Sequence, residues 1–251
     1  MSRRIGIVAA MMAATLALAG CASGPASRSA SGESPAQINA RLGLSYMQQG
    51  NHEVAMEKLQ RALEQDPGLA DGHHYMAELY RTLRNEEKAE QHYRRALRLA
   101  PNDGALQNNY AVFLCDNGHY GEAEERFLRA ARTPNYQRSG EAYQNAASCM
   151  MRIPDPERAK AHLRRALEID PLAPSALLQM STLSFDTGEE LPARAFLQRF
   201  EAVARHNAQS LWLGVRIERA LDNAPAAEDY ARQLREQFPR AEETARLRET
   251  E

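Results

Sequence analysis

The segment Ala55-Met56-Glu57-Lys58-Leu59-Gln60-Arg61-Ala62-Leu63-Glu64-Gln65-Asp66-Pro67 returns 34 residues later as Ala89-Glu90-Gln91-His92-Tyr93-Arg94-Arg95-Ala96-Leu97-Arg98-Leu99-Ala100-Pro101. Both contain an alanine, a large apolar residue four positions on, a second alanine three further, and a proline five beyond that. The spacing places the apolar residues on one face of a helix. The proline cannot continue that helix and ends it. Working outward, Ala123, Phe127 and Ala130 form a third copy after another 34 residues, and Ala159, Leu163, Ala166 and Pro171 a fourth after 36. Ala227, Ala231, Leu234 and Pro239 lie 68 residues further on, with a degenerate copy between them that holds Ala193, Leu197 and Phe200 and lacks the terminal proline.

The upstream half of each unit agrees. Leu42-Gly43 precedes Tyr46, Met76-Ala77 precedes Tyr80, Tyr110-Ala111 precedes Leu114, and Ala146-Ala147 precedes Met150. A large residue, a small one, a large one, then alanine, aromatic, alanine and proline resemble the tetratricopeptide (TPR) pattern. The small residues let the two helices of a unit approach closely, and the large ones fill the space between units. No single pair buries its apolar face alone, so the stack is the folding unit. The expected fold is an all-α, right-handed TPR solenoid of six repeats, 36–69, 70–103, 104–139, 140–173, 174–207 and 208–239. The phase slips by two residues within Thr133-Pro134-Asn135-Tyr136-Gln137-Arg138, a longer turn. The polar tail 240–251 has few apolar residues and reads as frayed and solvent-facing.

Composition agrees with helix: 43% hydrophobic, 25% charged and only 6% aromatic, with no alternating β-branched run that reads as a strand. The N-terminus is a separate matter. Arg3 and Arg4 precede an apolar run from Ile5 to Ala19, too short to span a bilayer comfortably. Residues 1–20 read as a secretory signal. The run ends in Leu18-Ala19-Gly20-Cys21, which resembles the lipobox of bacterial lipoproteins. That resemblance implies that Cys21 is lipidated and begins the mature chain, and that Ala22 at the next position directs it to the outer membrane. Residues 21–35 then form a lipidated tether, rich in Ser, Ala and Gly, with a reach of about 20 Å. Removing the signal takes away two arginines and no acid, so the formal charge falls from −2 to −4. No dense Lys/Arg block remains to suit nucleic acid.

Chemistry-bearing motifs are sparse. There is no Gly-rich phosphate loop, HExxH, CxxC or nucleophile motif. Neither cofactor nor metal, and no small-molecule substrate, is expected. His73-His74 is the one histidine cluster, and His73 occupies a packing position. With Cys21 taken by lipid, Cys115 and Cys149 remain in an oxidising compartment, on the first helices of repeats 3 and 4. Neighbouring first helices lie side by side, which permits a disulfide; two buried thiols used as small hydrophobes are the alternative.

Asn108-Asn109-Tyr110-Ala111-Val112-Phe113-Leu114-Cys115 resembles the third repeat of the PilF/PilW family of type IV pilus lipoproteins, with Ala111 where the family usually has Gly. Pro134-Asn135-Tyr136, the stretch Glu141 to Cys149, and Asp155-Pro156-Glu157-Arg158-Ala159 match further landmarks. The resemblance implies a pilotin-like binding protein, not an enzyme, that helps the pilus secretin reach the outer membrane, assemble and stay stable. The alternative is a TPR lipoprotein of another envelope machine, serving β-barrel insertion or peptidoglycan synthase regulation. TPR arrays bind along a groove lined by the first helix of each repeat. Here Ala40, Leu44 and Met47 of repeat 1 form an apolar stripe at its mouth, with His74, Glu78 and Arg81 beside them and Asn108 suited to an extended peptide's main chain. The competing reading is that Leu44 and Met47 pack against the tether or the next helix. Trp212, in the last repeat, reads as packing.

Overall fold

In the computed structural model, which describes residues 32–250, thirteen α-helices follow one another and no strand occurs among the described residues. Helix α1 (Pro35–Gln48) pairs with α2 (His52–Gln65), α3 (Ala70–Thr82) with α4 (Glu86–Leu99), and α5 (Gly104–Asp116) with α6 (Tyr120–Ala131). Likewise α7 (Ser139–Met150) pairs with α8 (Pro156–Ile169), α9 (Pro174–Asp186) with α10 (Glu190–Glu201), and α11 (Ala208–Ala220) with α12 (Ala224–Gln237). These are helices A and B of six TPR units, and α13 (Glu242–Glu249) ends the series.

Local chemistry sets the boundaries. Ser34 opens α1 with a capping box: its hydroxyl accepts from the Gln37 N–H at 3.2 Å, and the Gln37 side chain accepts from the Ser34 N–H at 2.8 Å. Asn51, Asn85, Asp103 and Asp155 cap α2, α4, α5 and α8 by the same side-chain-to-backbone bond. Five A helices end in a left-handed residue: Gly50, Arg84, Gly118, Gly188 and Asp222. There the next N–H reaches five residues back, as Asn51 donates to the Tyr46 carbonyl at 2.9 Å. Repeat 4 has Pro154 at this place, whose ring forbids positive φ, and the turn is built differently, with the Asp155 N–H donating to the Ile153 carbonyl at 2.8 Å.

Within a repeat the helices touch at small residues. A Cβ on Gly43 would stand 2.5 Å from Leu59 Cγ, so α1 and α2 pack this closely only with glycine there. Ala77, Ala111 and Ala147 take the equivalent place and are fully buried. Repeat 6 exchanges large for small: Ala231 and Leu234 replace the usual large-then-alanine order, and the Tyr230 ring covers Gly214. Between repeats, A helices meet A helices (α1 with α3, α5 with α7, α9 with α11), and each B helix meets the following A helix, while neighbouring B helices stand further apart and are joined by side chains, as Glu124 on α6 pairs with Arg158 and His162 on α8. The A helices therefore form the inner wall and the B helices the outer one.

The longer turn between repeats 3 and 4 has a packing role. Asn135 adopts φ +62°, and Tyr136 lies on the start of α5, where a Cβ on Gly104 would come within 2.6 Å of its ring. The segment after Pro239 does not fray. Helix α13 starts 34 residues after α11 does, in the register of a seventh A helix, and buries Thr244 and Leu247 completely; Leu247 joins Leu211, Val215, Ala231 and Leu234 in one cluster, with Trp212 packed beside them. One leucine and one threonine in a charged segment give too little periodicity to announce a docked helix. At the other end Ile38 and Leu42 are 43% and 42% exposed.

Candidate protein-binding surface

The inner wall is a row of A helices whose polar side chains are engaged with one another. His74 on α3 meets Asn109 on α5, with Nε2 3.0 Å from the Asn109 amide nitrogen. Asn145 on α7 donates to the Asn108 side-chain oxygen at 3.0 Å, and Asn108 donates to Asn109 at 3.3 Å. Ser175 on α9 donates to Gln144, and Gln179 to the Ser148 hydroxyl at 3.1 Å. Charged pairs continue the row: Arg152 with Asp116 at 3.0 Å and Arg216 with Asp186 at 3.3 Å. Apart from Asn108 with Asn109, each bond spans about one repeat, so the ladder fixes how successive A helices sit.

This changes the reading of the groove. His74 and Asn108 are 7% and 6% exposed, and both side chains are committed to the ladder. Burial holds the His74 imidazole below its ordinary pKa, against the opposing pull of Glu78 and the nearby Asp103 and Asp71. Glu78 is mostly buried, accepts from the Tyr93 hydroxyl and pairs with Arg81 at 2.9 Å. Ala40 is buried in the core, because its helix face turns toward the packed neighbours. Leu44 and Met47 are half-buried, and Met47 packs against the cluster of Ala55, Leu59, Met76 and Leu79. Of the seven assigned residues, Arg81 alone keeps a large exposed fraction outside repeat 1. Ala40, His74 and Asn108 hold the array together; they are not a free binding surface.

The apolar surface that repeat 1 does present is on the other side of α1. Ile38 and Leu42 occupy the third and seventh positions of the repeat. In the internal repeats these positions are Gly72 and Met76, Leu106 and Tyr110, Ala142 and Ala146, and Ala176 and Met180, all buried by the preceding repeat. The signal was available in the sequence, since the first unit of any stack lacks a preceding neighbour.

The segment Asn108–Cys115 is now legible in full. Asn109 and Asn108 bond to the A helices before and after. Tyr110 and Phe113 pack against Tyr93 with ring centroids 5.2 and 5.3 Å apart, and Leu114 is core. Cys115 is joined to Cys149 in a disulfide with Cα atoms 5.9 Å apart, across the junction of repeats 3 and 4. Arg152 donates to the Cys115 carbonyl at 3.3 Å beside it. Asn108, Asn109, Tyr110, Phe113 and Cys115 of that motif join repeats 2, 3 and 4.

Among the described residues, no group of three or more His, Cys, Asp or Glu is placed to hold a metal ion, and no helix is long and apolar enough to cross a membrane. Cys21 and the residues before it lie outside the described part of the chain.

Two tetratricopeptide-repeat family models match the chain, over residues 36–69 and 70–181. The type IV pilus assembly protein PilF of Pseudomonas aeruginosa is 32% identical over 199 residues, 79% of each chain. The solved structure of P. aeruginosa PilF superposes with a TM-score of 0.75 at 30% identity, covering 86% of this chain and 98% of that one. That of PilW, described as a widely conserved type IV pilus biogenesis factor, superposes with a TM-score of 0.76 at 28% identity, covering 86% and 99%. With this agreement in repeats, in sequence and in backbone, the chain belongs to the PilF/PilW family of TPR proteins of type IV pilus biogenesis.

Proposed function

We propose that this protein is an outer-membrane lipoprotein that binds the pilus secretin subunit and promotes its localisation, multimerisation and stability, without catalysing a reaction. The relationship to PilF along the repeat array carries this reading. The Leu18-Ala19-Gly20-Cys21 sequence supports the lipid anchor, and Ala22 supports the outer membrane over the inner one. Lipid chains contribute about 0.8 kcal/mol per buried methylene, and stable anchoring takes more than one chain.

The docking surface we assign is the open end of repeat 1, formed by Ile38 and Leu42. Burying the part of each side chain that is still exposed, 43% of Ile38 and 42% of Leu42, contributes roughly 0.6–1.3 kcal/mol each, a small apolar centre for a contact completed by a polar rim. Deleting the gene and following secretin in outer-membrane fractions tests the function. Loss of secretin multimers, restored by the intact gene, is expected; unchanged multimers would overturn it. Cys21→Ser is expected to release the protein into the soluble periplasmic fraction, and an unaltered membrane association would remove the lipid from the account.

A further inference from the structure

Helix B carries an arginine at the same repeat position in five successive units: Arg61, Arg95, Arg129, Arg165 and Arg199. In repeats 2 and 3 a second arginine follows three residues later, Arg98 and Arg132, one turn along the same helix face. All four of Arg95, Arg98, Arg129 and Arg132 are exposed. None of them takes part in an ion pair among the described residues. Arg165 and Arg232 pair with Glu168 and Asp229 on their own helices, and Arg199 donates to the Pro171 carbonyl at 3.0 Å.

Each arginine pair lines a cleft on the outer wall. Arg95 and Arg98 border one of 430 Å³, with Gln91, His92 and His73 beside them. Arg129 and Arg132 border the other, of 450 Å³, with Glu125 at the place of Gln91. The two clefts share three equivalent positions one unit apart, the two arginines and Gln91 or Glu125, and differ in the rest: the first has His73 and His92, the second Leu128, Thr133 and Pro134. In the first, the His73 and His92 Nδ1 atoms stand 3.0 Å apart and His73 Nε2 lies 3.2 Å from the Pro67 carbonyl. Burial, the neighbouring imidazole and Lys88 hold His92 down to about 4, so near neutral pH the positive charge of that cleft comes from its arginines.

We infer that these two clefts on the outer wall of repeats 2 and 3 are a docking surface for an extended polypeptide segment carrying two acidic clusters, one per cleft. A guanidinium presents a planar fork that matches a carboxylate, and two forks one helical turn apart offer several donors to the same acidic cluster. Shallow, open clefts at repeat spacing suit a chain laid along the array. A flat anionic bilayer fits less well, because it would meet Glu57, Glu64, Glu87, Glu90 and Glu168 on the same row of helices together, whereas a segment confined to the clefts meets only Glu125, against the two arginines of the second cleft. The whole chain has a formal charge of −2, so attraction of an acidic partner here is local to these clefts. The surface belongs to the B helices, whereas Ile38 and Leu42 belong to α1, so the two can be occupied together and fail separately.

The test uses the full chain with Cys21→Ser, so that no lipid intervenes, and a fluorescein-labelled peptide of two tetraglutamate blocks joined by a Gly-Ser spacer. Anisotropy is expected to show binding that weakens with added salt. Arg95→Glu with Arg98→Glu, and separately Arg129→Glu with Arg132→Glu, should each weaken it at least about tenfold, and the quadruple variant should abolish it. Arg205→Glu with Arg240→Glu, exposed elsewhere, should leave it unchanged. A peptide with one block should bind more weakly than the two-block peptide. Thermal unfolding confirms that the variants fold. Failure of the wild-type chain to bind the peptide, or equal binding by the quadruple variant, overturns the inference. So does a quadruple variant that keeps the peptide but loses phosphatidylethanolamine–phosphatidylglycerol vesicles, which would make the surface a membrane contact.

Discussion

The two ends of the array are finished in opposite ways. At the C-terminal end, α13 stands where a seventh A helix would stand and seals the last repeat with Leu247, which is completely buried. At the N-terminal end, the described residues leave the third and seventh positions of repeat 1 open, and those positions hold Ile38 and Leu42, apolar as in a repeat that expects a neighbour. Solenoids need polar outer faces on their terminal units for solubility. Among the described residues one end is capped and the other left apolar; under the proposed function the closed end serves folding and the open end receives the partner.

The largest effect that would break this comparison is at the closed end. Leu247→Ala should cost about 3–5 kcal/mol, since the side chain is fully enclosed and the site can collapse only partly. Because repeats couple chiefly to their neighbours, faster hydrogen exchange should appear in repeat 6 and not in repeat 1. Exchange that speeds up uniformly would mean that the array unfolds as one unit. Next comes the middle of the array. Cys115→Ser with Cys149→Ser opens a loop of 34 residues, for which the chain-entropy model gives about 3–4 kcal/mol. The loosening should centre on repeats 3 and 4 and leave both ends alone. Non-reducing mass mapping of the wild-type chain should show the bridge, and two alkylatable thiols would remove it.

A smaller effect depends on pH. The His92 pKa is depressed to about 4 from 6.5. The unfolded chain therefore binds the proton first, and stability is lost as pH falls from about 6.5 toward 4. The ring is partly exposed, so the loss is roughly 1–2 kcal/mol after allowance for solvent screening. His92→Gln should flatten the fall in melting temperature over that window; an unchanged slope would contradict the assignment. Smaller still, Arg84 adopts φ +57° in a turn where three other repeats have glycine. Arg84→Gly should stabilise by about 0.5–1 kcal/mol, measured as a shift of the denaturant midpoint without a change of slope.

Much of the fold was legible because the repeat is written in the core. Ala55, Leu59, Ala62 and their equivalents sit at fixed spacing, and packing tolerates little else there. The two-residue phase slip marked the junction where Tyr136 covers Gly104. The binding surface was less legible. Periodicity separates buried from exposed faces, and it placed Ala40, His74 and Asn108 on an inner face without showing that neighbouring helices consume that face. The bonds that consume them run between residues about one repeat apart, such as His74 with Asn109 and Asn108 with Asn145. A search for polar partners at the repeat period would have found them. Helix α13 escaped because two buried residues among eight leave no stripe.

Under the proposed function, the open apolar end of repeat 1 is where the partner binds. The most direct measurement is the yield of secretin multimers in outer-membrane fractions from cells carrying Ile38→Glu with Leu42→Glu. Both side chains are exposed, so the purified double variant should unfold within about 0.5 kcal/mol of wild type. It is expected to fold, reach the membrane and leave secretin unassembled. A stable, membrane-bound variant that assembles secretin at the wild-type level would contradict it.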